Sequence, residues 1–94
     1  MVLQITRYDV QPDKVDAYTK WAQGAIKAMT EAPGHVAFRA YRSRAGGSQV
    51  MTMTEFADLA TWSSDDEGKR VVDELRAFTS HVDIELWETS PLMP

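Results

Sequence analysis

Cysteine is missing from the 94 residues. Its absence excludes disulfide scaffolds, thiolate zinc sites and a cysteine nucleophile. Glycine and proline are sparse, at five and four residues, and no segment is low in complexity or repeated. No run approaches the roughly 20 apolar residues that cross a bilayer. The opening MVLQITRYDV lacks the charged region and long apolar stretch of a signal peptide. Ten basic residues face fourteen acidic ones, for a net charge of −4, and the basic ones are scattered. Nucleic acids and anionic membranes both require a positive patch, so neither is an expected partner and a cytoplasmic location is the default expectation. Two histidines without HxH or HxxxH spacing suggest no metal site.

What remains is ordinary for a folded protein: 44% hydrophobic and 26% charged residues. Residues 1–94 fit one domain. A domain this small buries a limited share of its surface, and oligomerisation is a common remedy.

Hydrophobic periodicity sets the order of elements. Val2 to Val10 alternates, with Leu3 and Ile5 on one face and Gln4, Thr6 and Tyr8 on the other, as a strand does. Pro12-Asp13 starts a helix, since proline is tolerated in a first turn and aspartate caps free amides. From Asp13 to about Glu31, Val15, Tyr18, Ala22, Ala25, Ile26 and Met29 form one helical face. Pro33-Gly34 stops it. Val36 to Arg44 reads as a strand, Val36, Phe38 and Ala40 opposing Ala37, Arg39 and Tyr41. Ala45-Gly46-Gly47-Ser48 is a hairpin signal leading into a strand from Gln49 to Phe56. Asp58 to Trp62 forms a short turn or helical piece. Ser64-Asp65-Asp66-Glu67 matches a capping box ahead of a second helix whose buried face is Val71, Val72, Leu75 and Phe78. Val82 to Glu88 is the last strand, and residues 89–94 form an irregular tail.

The resulting order, βαββαβ, is the split βαβ or ferredoxin-like arrangement of an α+β domain with a four-stranded antiparallel sheet. Right-handed crossovers put both helices on one sheet face. The other face keeps valine, leucine, methionine, tyrosine or tryptophan on several strands. Such a patch marks an interface, and a homodimer packed face to face is the simplest expectation.

The strand followed by Pro12-Asp13-Lys14, the helix closed by Pro33-Gly34 and the strand Phe38-Arg39-Ala40-Tyr41-Arg42 together carry a resemblance. So do Thr54-Glu55-Phe56 running into Leu59-Ala60-Thr61-Trp62, and the second capped helix. Along most of its length the chain resembles the antibiotic biosynthesis monooxygenase family of dimeric α/β barrels. That resemblance implies a cofactor-independent oxidoreductase acting on a small aromatic or quinonoid molecule, with the pocket between sheet and helices and no metal, flavin or haem. The haem-degrading relatives use an asparagine on the first strand, a tryptophan after the third and a histidine on the second helix. Trp62 matches the tryptophan, whereas Thr6 and Val72 or Asp73 occupy the other two places, so haem degradation is not expected. The polyketide oxygenases flank that tryptophan with an asparagine and a tyrosine, where this chain has Asp58 and Gly68. A non-catalytic dimeric binding or stress-associated protein with an eroded site is therefore the alternative expectation.

Trp62 is the first candidate site residue, because an indole stacks on flat substrates and its N–H donates to a quinone or phenol oxygen. It serves equally as a tryptophan closing the core under the second helix. Thr6 and Tyr8 are the further ligand-binding candidates. His81 is the other catalytic candidate, and His35 a lesser one, as side chains that titrate near neutrality; a solvated loop histidine is the ordinary outcome for both. Trp21 is expected to pack partly on the sheet and Trp87 to suit a dimer contact. Arg7, Arg39, Glu55 and Glu85, inside strands, call for ion pairing, and Asp65-Asp66-Glu67 for a solvated helix start.

Overall fold

In the computed structural model, which describes residues 1–45 and 49–92, four antiparallel strands form one sheet in the order β2-β3-β1-β4. The chain runs β1 (Val2–Val10), a 3-10 turn (Pro12–Lys14), α1 (Val15–Glu31), β2 (His35–Arg42) and β3 (Gln49–Phe56). It continues through α2 (Leu59–Ser63), α3 (Asp66–Leu75) and β4 (Thr79–Glu88). This is the ferredoxin-like α+β architecture. The glycine turn at 46–48 lies outside the described residues. No described helix is long and apolar enough to cross a membrane.

The register decides which rows face the helices. Gln4, Thr6 and Tyr8 of β1 lie opposite Thr54, Thr52 and Val50 of β3 and opposite Leu86, Ile84 and Val82 of β4. Thr6, Tyr8, Thr54 and Phe56 are buried beneath the helices. The alternate row holds Leu3, Ile5, Met51 and Met53 together with Arg7, Glu55, Asp83, Glu85 and Trp87. β1 thus turns its amide and hydroxyl side chains toward the helices and Leu3 and Ile5 outward, while Val50 and Phe56 of β3 and Val82, Ile84 and Leu86 of β4 share the inward rows. On the outward face Arg7 pairs with Glu85, and Trp87 and Tyr41 are exposed.

Several local expectations change. The start of α1 has no side-chain cap, so Asp13 does not act there. The cap of α3 is Asp65, whose carboxylate accepts from Gly68 N–H at 3.2 Å. Ser64 instead turns back and donates to carbonyls of α2. Asp65 rather than Ser64 caps because residues 59–63 are already helical and consume the serine hydroxyl. Asp58, in turn, caps α2 by accepting from the N–H and hydroxyl of Thr61, both at 2.8 Å. The same two contacts hold its carboxyl below the usual carboxylate range.

A bulge at the start of β2 shifts the parity of that strand. His35 pairs with Phe56 and Ala37 with Glu55, so two residues of β2 oppose one of β3. Val36 falls on the bulge and is exposed, not aligned with Phe38 as strict alternation predicts. His35 takes the inward place. Gly34, with φ +87°, makes the entry possible; a Cβ there would meet the Thr61 methyl at 2.6 Å.

Candidate functional site

A narrow cleft, with about 50 Å³ of free volume inside it, opens between the sheet and helices α1 and α3. Its floor is the inward row of β1 and β3, Gln4, Thr6, Tyr8, Thr52 and Thr54, extended by Phe38 of β2. Its walls are Tyr18, Trp21, Ala25 and Met29 of α1 and Val71, Val72 and Leu75 of α3. The floor is polar because β1 alternates with its hydroxyl row inward. The α1 wall is aromatic and aliphatic because Tyr18, Trp21, Ala25 and Met29 recur at helical spacing. No carboxylate, ammonium, guanidinium or imidazole lines the cleft among the described residues.

At one end, the hydroxyls of Tyr8 and Tyr18 stand 2.6 Å apart, and either can donate. Tyr8 is 4% exposed. Burial, and secondarily the Tyr18 hydroxyl, push its phenol well above the ordinary value of 10.0, so it is a hydrogen-bond donor rather than a base. Tyr18 packs edge-on against Tyr8 and Phe78 and tilted against Trp21. Trp21 donates its indole N–H to Glu74 Oε1 at 2.8 Å, tying α1 to α3. This bond first, and Arg70 second, hold the Glu74 carboxyl below its usual range.

At the other end, Trp62 donates its indole N–H to Gln4 Oε1 at 2.7 Å, and Gln4 Nε2 donates to Thr6 Oγ1 at 3.2 Å. Because an indole nitrogen can only donate, its partner atom on Gln4 must be the amide oxygen. Trp62 itself faces a neighbouring groove, lined also by Lys69, Asp73, Arg76 and Ile84. Gln4 and Val72 line both spaces. Trp62 therefore reaches the cleft through Gln4 rather than directly.

The candidate residues thus separate. Thr6 and Tyr8 lie side by side on the cleft floor, and Trp62 is linked to Thr6 through Gln4. His81 is on the outward face of β4, half exposed and 3.7 Å from carboxylates of Asp9 and Asp83, so the sheet stands between it and Thr6. His35, expected to be solvated, has a fully buried side chain, although the residue as a whole is only half-buried. Its Nδ1 lies 2.7 Å from the Met29 carbonyl, and its ring packs edge-on against Phe56. Nε2 meets Asp65 Oδ1 at 2.9 Å without the alignment of a hydrogen bond. His35 thereby joins the end of α1, the start of β2 and the cap of α3, and Asp65 is held rather than solvated. Gln4 and Tyr18 were legible only as an alternating polar residue and a helix-face aromatic. Nothing in the spacing joins either to a site, because their partners come from 58 and 10 residues away.

Solved structures share this architecture. A crystal structure of an antibiotic biosynthesis monooxygenase matches with TM-score 0.81 at 15% identity, over 97% of this chain and 100% of that one. A conserved protein from Methanosarcina mazei Go1 matches with TM-score 0.81 at 14% identity, over 95% and 92%. A conserved protein of unknown function from Bacteroides thetaiotaomicron VPI-5482, described as a possible oxidoreductase, matches with TM-score 0.77 at 10% identity, over 94% and 96%. No curated protein matches. At these identities the structures speak for the fold alone. The sequence profile of one family matches residues 1–91, and on that match the chain belongs to the antibiotic biosynthesis monooxygenase family.

Proposed function

We propose that this protein is an oxidoreductase of the monooxygenase type that takes a small, flat aromatic or quinonoid molecule into the cleft between sheet and helices. The carrying observation is the lining: aromatic and aliphatic walls over a floor of hydroxyl and amide groups, which suits a planar carbon skeleton bearing oxygen atoms. The substrate is itself the reductant. With an anthrone, dioxygen accepts the electrons, the ring methylene becomes a carbonyl, and the second oxygen atom leaves in water. The protein's part is to hold the ring system, with Thr6 and Tyr8 turned to its oxygens and Trp62 positioning Gln4. Oxygen uptake with anthrone or a naphthoquinol should exceed the spontaneous rate, and Trp62→Ala should return it to that rate. Wild-type uptake at the spontaneous rate would refute catalysis, whereas undiminished uptake in the variant would remove Trp62 from the site.

One observation favours a second reading, a binding protein without turnover. The cleft offers no general base among the described residues. Stabilisation against heat by a ligand that is never converted would support that reading.

We also propose that the outward face pairs with a second copy. Leu3, Ile5, Met51, Met53, Tyr41 and Trp87 share that face with Arg7, Glu55, Asp83 and Glu85, an apolar surface interspersed with charges that a second copy would cover. A folded monomer in sedimentation at micromolar concentration would contradict it.

A further inference from the structure

We infer that the Tyr8–Tyr18 pair is the anchor for a ligand carbonyl, and that the cleft selects uncharged aromatic ketones or quinones over carboxylates of the same shape. The inference rests on the reading of the cleft as a ligand site. It adds which atoms recognise the ligand and which charge state is accepted.

The argument is a count of protons. Two phenol hydroxyls 2.6 Å apart share one hydrogen bond, which uses one of their two protons. Neither hydroxyl has another partner among the described residues, and both side chains line the cleft. The second proton is therefore free for a ligand, and it is a strong donor because the first bond polarises it. Burial keeps Tyr8 protonated, so the pair donates and does not abstract. Thr6 repeats the pattern. Its oxygen accepts from Gln4 Nε2, so its own proton is free to point elsewhere, and Thr6 is two residues along the same face of β1. The cleft thus offers two hydroxyl donors, one from Thr6 and one from the tyrosine pair, with the Cα atoms of Thr6 and Tyr8 about 7 Å apart by strand geometry, inside apolar walls.

Charge selection follows from what surrounds those donors. No lysine, arginine or histidine lines the cleft among the described residues; behind one wall Trp21 holds the Glu74 carboxylate, and Lys69, Asp73 and Arg76 lie beyond Gln4 and Val72 in the neighbouring groove. A carboxylate entering here would lose its hydration without meeting a cation. A ketone oxygen loses far less and gains a donor.

The test uses 2-acetonaphthone and 2-naphthoate, which differ by a methyl group against a charged oxygen. Binding to the wild-type protein is followed by quenching of tryptophan fluorescence, to which Trp21 in the cleft wall contributes, and the bound ketone by its infrared carbonyl stretch. The ketone should bind at least about thirtyfold more tightly than the carboxylate at neutral pH. Its carbonyl band should move to lower frequency on binding. Of Tyr8→Phe and Tyr18→Phe, the one that removes the donating hydroxyl should weaken the ketone about tenfold and return the band toward its position in an apolar solvent, and the other should move both less. A merely structural role for the tyrosines would not move that band. Equal affinity for the two probes, or an unshifted band in the wild type, would overturn the inference while leaving oxygen uptake as a separate test of catalysis. Failure of both probes to bind would overturn the inference together with the reading of the cleft as a ligand site, whereas a bound ketone beside a carboxylate too weak to detect is the expected outcome.

Discussion

Replacing Gly68 with alanine reverses the usual rule for helices. Gly68 lies within α3, where alanine is the better helix former by about 1 kcal/mol, so propensity alone makes Gly68→Ala stabilising. The structure gives the opposite sign. A Cβ at this position would stand 2.1 Å from Asp65 Oδ2 and 2.9 Å from its Cγ. The carboxylate must swing away, abandoning two contacts. The first is the cap it provides by accepting from Gly68 N–H, worth about 1 kcal/mol. The second is its contact with buried His35, whose loss costs about 1–3 kcal/mol. Set against the gain in propensity, the net effect is a destabilisation of about 2 kcal/mol, or about 10 °C in midpoint for a chain of this length. Thermal unfolding by circular dichroism and urea titration measure it directly. The informative comparison is an Asp65→Ala background, where no carboxylate is left to displace. There Gly68→Ala should stabilise by about 1 kcal/mol, giving a coupling of about 3 kcal/mol between positions 65 and 68. A stabilised Gly68→Ala single variant, or additive effects, would refute the reasoning.

Tyr8 governs the alkaline limit. Its folded-state ionisation is raised, so its contribution to stability is complete below pH 10 and is lost above it, at about 1.4 kcal/mol per pH unit. Its share of the tyrosinate absorbance should appear only as the fold is lost, and Tyr8→Phe should remove that step. At the acid end, the depressed ionisation of Asp58 reverses the sign. Its contribution is present above pH 3.8 and fades as pH falls through the lower folded-state value, a fading that Asp58→Ala should abolish in Trp62 fluorescence. Trp62→Phe, which strips the donor from Gln4 Oε1, should cost about 1 kcal/mol in chemical denaturation; no change would mean that the amide finds another partner. On the outward face, Ile5→Glu should leave the fold intact and abolish the proposed pairing, so that the wild type sediments as a dimer and the variant as a monomer.

The sequence by itself determined the elements and their order. The alternation from Val2 to Val10, the helical spacing from Tyr18 to Met29 and the stop at Pro33-Gly34 are local patterns, each written within a few turns of chain, and they sufficed for the ferredoxin-like architecture. Tertiary structure decided the rest. Alternation splits Gln4, Thr6 and Tyr8 from Leu3 and Ile5 but cannot say which row the helices cover; the crossovers and the register chose the polar one, which is why a cleft lies there. A single bulged residue moved His35 from solvent to the interior, and no propensity registers one residue of slip. Trp62 was visible as a candidate, but its coupling to the cleft runs through Gln4, and the tyrosine pair joins a strand to a helix. Hydrogen bonds between distant segments exist only once the chain has closed on itself, so their geometry could be read only from the fold.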